Sequence, residues 1–422
     1  MNKQNHLYTL LTNSILASII PSLILGPFIP DLIASFSALF FIYYVFRNKE
    51  FDYFFNKPLI IFFCFCIYCI LLSLFVANDI MFSLKSSLFY FRIGVLSCFI
   101  WYLIDKNKDI LIYFYYALVL SFSALVVDGY IQFFTGVNLL GFKVAGTRLS
   151  SFFGDELIMG SYLSRLFPLL FALFVLKKKQ KFEVYFIGLL FILVDILIYM
   201  SGERTSFFFL NLSAIFIIIF IKEYQKFRLI TFLVGTICIL ILSINSLELS
   251  NRMFKNPAIE MGLIKNLDKS KKNFIFSQVH DSHYRTAYNM FKDKPFFGHG
   301  PKMFRILCSE QSYAAGKYPC STHPHNFYIQ LLAETGIIGF LFLFSALMYT
   351  IYAALRQFKS IIFKQKRPLS DYQVCLLAGI LITVWPFSPN GNFFNNWLMI
   401  AYSLPVSFYL QSIYSKKKVK KD

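Results

Sequence analysis

Apolar residues arrive in blocks separated by short polar interruptions along nearly the whole 422-residue chain. Twelve blocks stand out, roughly 9–27, 31–47, 58–76, 87–104, 110–134, 158–176, 184–200, 206–221, 229–248, 336–355, 372–388 and 397–414. A helix needs about 20 apolar residues to cross a hydrocarbon core ~30 Å thick. The pattern therefore predicts an all-α fold, a polytopic transmembrane helical bundle of about 12 spans. One interruption, of about 75 residues near 249–327, is much longer than the rest and reads as a loop subdomain of short helices. The predicted organisation is helices 1–9 over residues 1–248, the loop subdomain over 249–335, and helices 10–12 with a basic tail over 336–422. The first block follows only the polar stretch Met1 to His6, and no small-residue cleavage site comes after it, so a retained anchor is expected.

Composition agrees with that pattern. The chain is 57% apolar and 15% charged, with a mean hydropathy of +0.59, which excludes an ordinary water-soluble enzyme. A net charge of +19 would suggest nucleic acid in a soluble protein, but here it sorts by side. With twelve spans, 23 Lys and Arg fall on the side of the termini, including Arg47, Lys106, Lys177 to Lys179, Arg228, Arg367 and Lys416 to Lys421. Only four (Lys85, Lys143, Arg148, Arg204) fall in the short loops opposite, two lie inside spans (Arg92, Arg165), and the long loop holds twelve. The positive-inside rule then makes both termini cytoplasmic, as in a bacterial inner-membrane protein, and reads the excess charge as an orientation signal. The two halves look unlike each other, which argues against a transporter built from two similar halves.

Polar residues on the non-cytoplasmic face are few, so each is informative. The turn Gly202-Glu203-Arg204-Thr205 places Arg204 at the membrane boundary, either as a snorkelling side chain or as a fork for phosphate oxygens. In Thr322-His323-Pro324-His325-Asn326, followed by Gln330, Glu334, Gly336 and Gly339, a polar stripe (Asn326, Gln330, Glu334) runs along a helix that Gly336 ends. His325 then lies just outside the bilayer, as a cap or as a group able to take a proton near neutral pH. Arg285 in the amphipathic stretch 282–294 is a second phosphate-binding candidate or a solvated loop arginine. His280-x-x-His283 with His299, His323 and His325 raises a zinc site, but no Cys pair or HExxH pattern supports one, so no metal is expected. No Asp-x-Asp pair is present to hold Mg²⁺ against a nucleotide diphosphate, which disfavours a nucleotide-sugar donor.

Taken in order, these segments resemble the O-antigen ligase and polymerase superfamily of membrane glycosyltransferases. The carrying residues are His325-Asn326 followed by Gly336 and Gly339, the turn Gly202 to Thr205, the stretch Lys294 to Phe304, and Ser150 to Gly160. The resemblance implies a GT-C-like bundle and, without cofactor, transfer of a glycan from undecaprenyl diphosphate to an acceptor sugar such as the lipid A core, on the periplasmic face and with inversion. It implies His325 as the catalytic residue and Arg204 and Arg285 as ligands of the donor diphosphate. Asn326, Arg148, Glu156, Arg165 and Glu334 are further candidates for substrate contact.

Arg92, Asp128, Arg165 and Asp195 are costly inside spans and are expected to face a cavity or one another, Arg165 lining the lipid-diphosphate entrance or pairing with Asp128 or Asp195. Cys308 and Cys320 lie in the external loop, where a disulfide is expected to steady the approach to His325. A polymerase joining lipid-linked repeats is the alternative with the same chemistry, and a lipid-glycan flippase is the alternative from another class.

Overall fold

The computed structural model describes residues 3–176, 180–264 and 273–415. Lys177 to Lys179 and the basic tail Lys416 to Lys421, used above in the charge sorting, lie outside the described residues. The principal helices are α1 (Lys3–Ala17), α2 (Phe28–Asn48), α3 (Lys57–Phe75), α4 (Arg92–Lys106), α5 (Ile110–Thr135), α6 (Met159–Leu176), α7 (Lys181–Met200), α8 (Arg204–Phe220), α9 (Gln225–Asn245), α10 (Gln278–Asp293), α11 (Phe327–Ile362), α12 (Asp371–Thr383) and α13 (Asn396–Tyr414). No strand forms among the described residues, where only two isolated β-bridges occur. The chain is an all-helical, polytopic membrane protein.

Eight helices among the described residues are long and apolar enough to cross a membrane: Phe28–Asn48, Lys57–Phe75, Ile80–Lys106, Ile110–Thr135, Met159–Leu176, Lys181–Met200, Gln225–Asn245 and Phe327–Ile362. The other four expected spans are also helical but do not meet that standard. Thr9–Leu25, Arg204–Phe220 and Asp371–Thr383 are shorter apolar helices, and α13 carries Ser403, Ser407, Gln411 and Ser412 among its apolar residues.

The polar interruptions that delimit the blocks act as caps. Asn56 caps α3, Ser277 caps α10, Ser370 with Gln373 forms a capping box on α12, and Asn395 caps α13. Two predicted boundaries move. The span expected at 336–355 belongs to a helix running from Phe327 to Ile362, interrupted only at Gly336. The span expected at 372–388 ends at Thr383, because Pro386, Pro389 and Gly391 follow, and the residue before each proline is driven out of the α region. The chain from Val384 to Asn395 is consequently irregular and available to line a site.

Helix α6 is the centre of the bundle, packing against α5, α7, α8, α12 and α13, while α9 lies at the periphery. The polar residues inside the bundle have separate solutions. Arg92 pairs with Asp31 and donates to Ser35 Oγ at 3.1 Å. Asp128 accepts from Ser151 Oγ (2.6 Å), Leu139 N (2.9 Å) and Asn138 Nδ2 (3.2 Å), pinning the 138–151 loop to the end of α5. Asp195 accepts from Asn211 at 3.4 Å. Arg165 pairs with neither aspartate; its partners belong to the site below.

Candidate active site

The stretch from Lys294 to Phe304 and the motif around His325 are two parts of one unit. Gly336 has φ +63°, a backbone region that L side chains rarely adopt, and a Cβ there would collide with the Phe296 carbonyl. The break it makes lets the 295–300 turn hydrogen-bond along α11: Ile337 N donates to Pro295 O (2.8 Å), His299 N to Ala333 O (3.1 Å) and Gly300 N to Glu334 O (2.8 Å). Gly298, also at positive φ, brings its α-carbon against the backbone of Glu334 and Thr335. The Glu334 side chain completes the joint, accepting from Phe304 N at 3.2 Å and from Gln330 Nε2 at 3.0 Å. It is fully buried and does not line the cavity described next, so the structure gives it a fastening role in place of the expected substrate contact.

Asn326 caps α11, its Oδ1 accepting from Tyr328 N (3.0 Å) and Ile329 N (3.2 Å), while its Nδ2 donates to Pro386 O (2.8 Å) and Ser388 O (3.3 Å). All four hydrogen-bonding positions of the amide are occupied, so Asn326 too holds structure, and it does not line the cavity described next. His325, immediately before the cap, has φ +59°. Its Nε2 lies 3.1 Å from Ser321 Oγ, and its ring is surrounded by three others, with centroids at 4.1 Å (His323), 5.4 Å (His283) and 5.5 Å (His280). Burial, reinforced by the neighbouring imidazoles, pushes His325 down to about 3, and His280 and His323 down to about 4. The cluster is neutral at physiological pH, and a neutral imidazole offers a lone pair. Among the described residues no group of three or more His, Cys, Asp or Glu is arranged to hold a metal ion. The rings meet tilted, stacked or edge to face; the nitrogens of His280, His323 and His325 face Ser277, Ser321, Thr322 and the Asn390 carbonyl, while His283 Nδ1 is buried without a hydrogen-bond partner among the described residues.

His325 and His323 open onto a cavity of about 1070 Å³ between α6, α8, the 138–158 loop and the Val384–Asn395 segment. Its lining is mixed: Leu23 to Pro27, Phe142, Phe152 and Phe153 are apolar, and Arg148, Glu156, Arg165, Glu203, Arg305 and Asn390 are polar. Three of the expected contact residues, Arg148, Glu156 and Arg165, therefore share the cavity with His325. Arg148 donates to Leu157 O at 2.9 Å, and its buried Nε has no protein partner. A second hollow, about 50 Å³, lies among α6 to α9 beside Asp195 and is too small for a sugar.

Arg204 sits at the first turn of α8, next to Glu203, whose carboxylate accepts from Gly160 N and Ser161 N at the start of α6. The Arg204 side chain donates to Arg252 O at 2.8 Å, and Arg252 in turn donates to Gly202 O at 3.2 Å. Burial, then Arg148 and Arg204, push Arg252 below its ordinary value, and Arg204 also acts on His280; of these three arginines only Arg148 lines the cavity. Arg285 is not among them. It lies on the exposed face of α10, paired with Asp281 at 2.8 Å one turn earlier, and does not line the cavity. An amphipathic helix turns its charged side outward, and an acidic residue four positions before Arg285 is the available partner.

Arg252, Arg305 and the segment around Asn390 escape sequence reasoning. The two arginines sit in a long loop in which no charge stands out, whereas Pro386, Pro389 and Gly391 do signal that the eleventh apolar block stops early. Cys308 and Cys320 are joined by a disulfide with Cα atoms 5.1 Å apart, closing the loop between the 304–307 turn and the His motif.

None of the curated proteins matches the chain. A family model does, over the stretch that contains Arg204, Arg252, Arg285, all four clustered histidines and Glu334: residues 187–344 carry a domain of the O-antigen ligase family.

Proposed function

We propose that the protein is an O-antigen ligase-type glycosyltransferase, moving a glycan from undecaprenyl diphosphate to an acceptor sugar of the lipid A core at the periplasmic face of the inner membrane. The observation that carries this reading is the cavity itself: a histidine and several arginines open into one space that apolar side chains also line. A lipid-linked donor requires both surfaces.

In the proposed reaction the acceptor hydroxyl attacks the anomeric carbon as the bond from that carbon to the diphosphate oxygen breaks. The hydroxyl proton passes to His325, and the lipid diphosphate leaves with the bonding electrons. Attack opposite the leaving group inverts the anomeric centre. Arg148 and Arg305, which line the cavity, are the arginines best placed for the growing diphosphate charge, with Arg204 and Arg252 outside the lining. Arg285, expected from the resemblance to share that work, pairs with Asp281 on the exposed face of α10 and does not line the cavity. Metal is not needed for any of these steps.

The test is His325→Ala in cells lacking the native gene. Positioned acid–base groups contribute about 10² to 10⁴ in rate, so lipopolysaccharide should migrate as bare core while the variant inserts normally. Core carrying a single repeat would make the enzyme a polymerase, and undiminished glycan transfer would leave the flippase reading in its place.

A further inference from the structure

The segment from Val384 to Phe393 is fastened along the His motif by hydrogen bonds from both sides. Tyr328 Oη donates to Val384 O (2.5 Å), Gln330 Nε2 to Asn392 Oδ1 (2.9 Å), and Phe393 N to Gln330 Oε1 (2.9 Å). The two Asn326 bonds to Pro386 and Ser388 belong to the same seam. Asn390 occupies its most consequential position. Its backbone N–H donates to the carbonyl of His325 at 2.7 Å, and its backbone carbonyl lies 3.3 Å from His323 Nε2. Its side-chain Oδ1 accepts from Arg165 Nη2 at 2.9 Å.

Arg165 comes from the middle of the central helix α6 and is only 4% exposed. Its other terminal nitrogen donates to Ile382 O, and its guanidinium lies 4.0 Å from the ring centroid of Phe209 and 4.6 Å from that of Tyr402. An arginine held by two aromatic faces, a carbonyl and an amide stays charged and has little freedom to move. His325 meanwhile needs an external constraint. A non-glycine residue at positive φ is strained, by an amount comparable to or larger than the net worth of one neutral hydrogen bond, and persists only where its surroundings hold it.

We infer that Asn390 is a positioning residue: gripped through its side chain by membrane-buried Arg165, it holds the backbone of His325, and the ring of His323 beside it, in the orientation that faces the cavity. This rests on the transferase reading above and adds to it. The angle of the histidine is set from within the bundle, by a contact between two residues 225 positions apart in sequence.

The experiment uses full-length protein in lipid nanodiscs with an undecaprenyl-diphosphate-linked glycan and core acceptor. Misplacement of a reacting group by about 1 Å can cost on the order of 10²-fold in rate. Asn390→Ala should lower kcat at least about tenfold while the donor KM changes less than about twofold, by that same reasoning. Asn390→Asp keeps an oxygen toward Arg165 and should restore most of the turnover. Arg165→Lys, which keeps a cation but not the fork, should reproduce the kcat loss and provides the readout if Asn390→Ala fails to fold. A second measurement is independent of catalysis: carbethoxylation of His325 by diethyl pyrocarbonate, referred to buried His299, should change in Asn390→Ala and return toward wild type in Asn390→Asp.

Wild-type kcat in Asn390→Ala with an inactive His325→Ala overturns the inference and leaves the transferase reading standing. So does Asn390→Asp being as poor as Asn390→Ala. An active His325→Ala overturns the transferase reading instead. The carbethoxylation ratio then decides, an unchanged ratio removing the positional claim as well.

Discussion

His325 is depressed to about 3 and His280 and His323 to about 4 because the folded protein buries three imidazoles against one another. Their ordinary value is about 6.5. Between those limits the unfolded chain binds protons that the folded chain refuses, so stability rises with pH there. The contribution is fully present above about pH 6.5 and is lost as pH falls toward the folded values. Thermal melts of the purified protein should therefore shift down between pH 7 and 4.5, and His280→Gln should flatten that slope. Asn326 allows a sharper separation. Asn326→Ala loses a helix cap worth about 1 kcal/mol and strips the donor from two carbonyls of the 386–388 segment, at about 1–3 kcal/mol for each one left buried. Asn326→Asp keeps the cap but sets a buried carboxylate oxygen against the Pro386 and Ser388 carbonyls, so its melting temperature should fall at least as far as that of the alanine variant.

Among the elements, the break in α11 is the one on which the site is assembled. Gly336→Ala would place a Cβ on the Phe296 carbonyl at a φ that alanine adopts with difficulty, so the 295–300 turn should detach from α11. The expected sign is faster proteolysis of the loop between Lys294 and Thr322 in Gly336→Ala than in wild type, with α11 still inserted. The Cys308–Cys320 disulfide restrains the same region from its far side. Reduction should raise amide exchange across residues 309–319 and leave α6 and α12 unaffected, because the bridge closes a local loop and crosses no helix of the bundle.

For the whole molecule, orientation is the property that the charge pattern predicts most directly. An impermeant maleimide added to intact spheroplasts should label Lys143→Cys, in the loop after α5, and spare Asp109→Cys, in the turn before it. The reverse result would invert the bundle and put the cavity on the cytoplasmic face. Burial is consistent with a bundle whose interior is organised around α6 and whose periphery meets lipid: α6 is the most enclosed of the eight long helices and α9 the least.

Most of the helices and the address of the His-Asn motif were legible in one dimension, because each depends on local periodicity. The cap role of Asn326 was half visible, since a polar residue before an apolar run implies a cap but not the carbonyls its other side reaches. Which polar residues meet was not legible. Arg165 looked like a partner for Asp128 or Asp195 and instead grips Asn390; Arg285 looked like an equal of Arg204 and instead turns outward to Asp281. Those outcomes depend on packing between segments up to 225 positions apart, where helix rotation and the point at which α12 stops decide which side chain reaches the cavity. Periodicity says which face of a helix is polar, and only the assembled bundle says what that face meets.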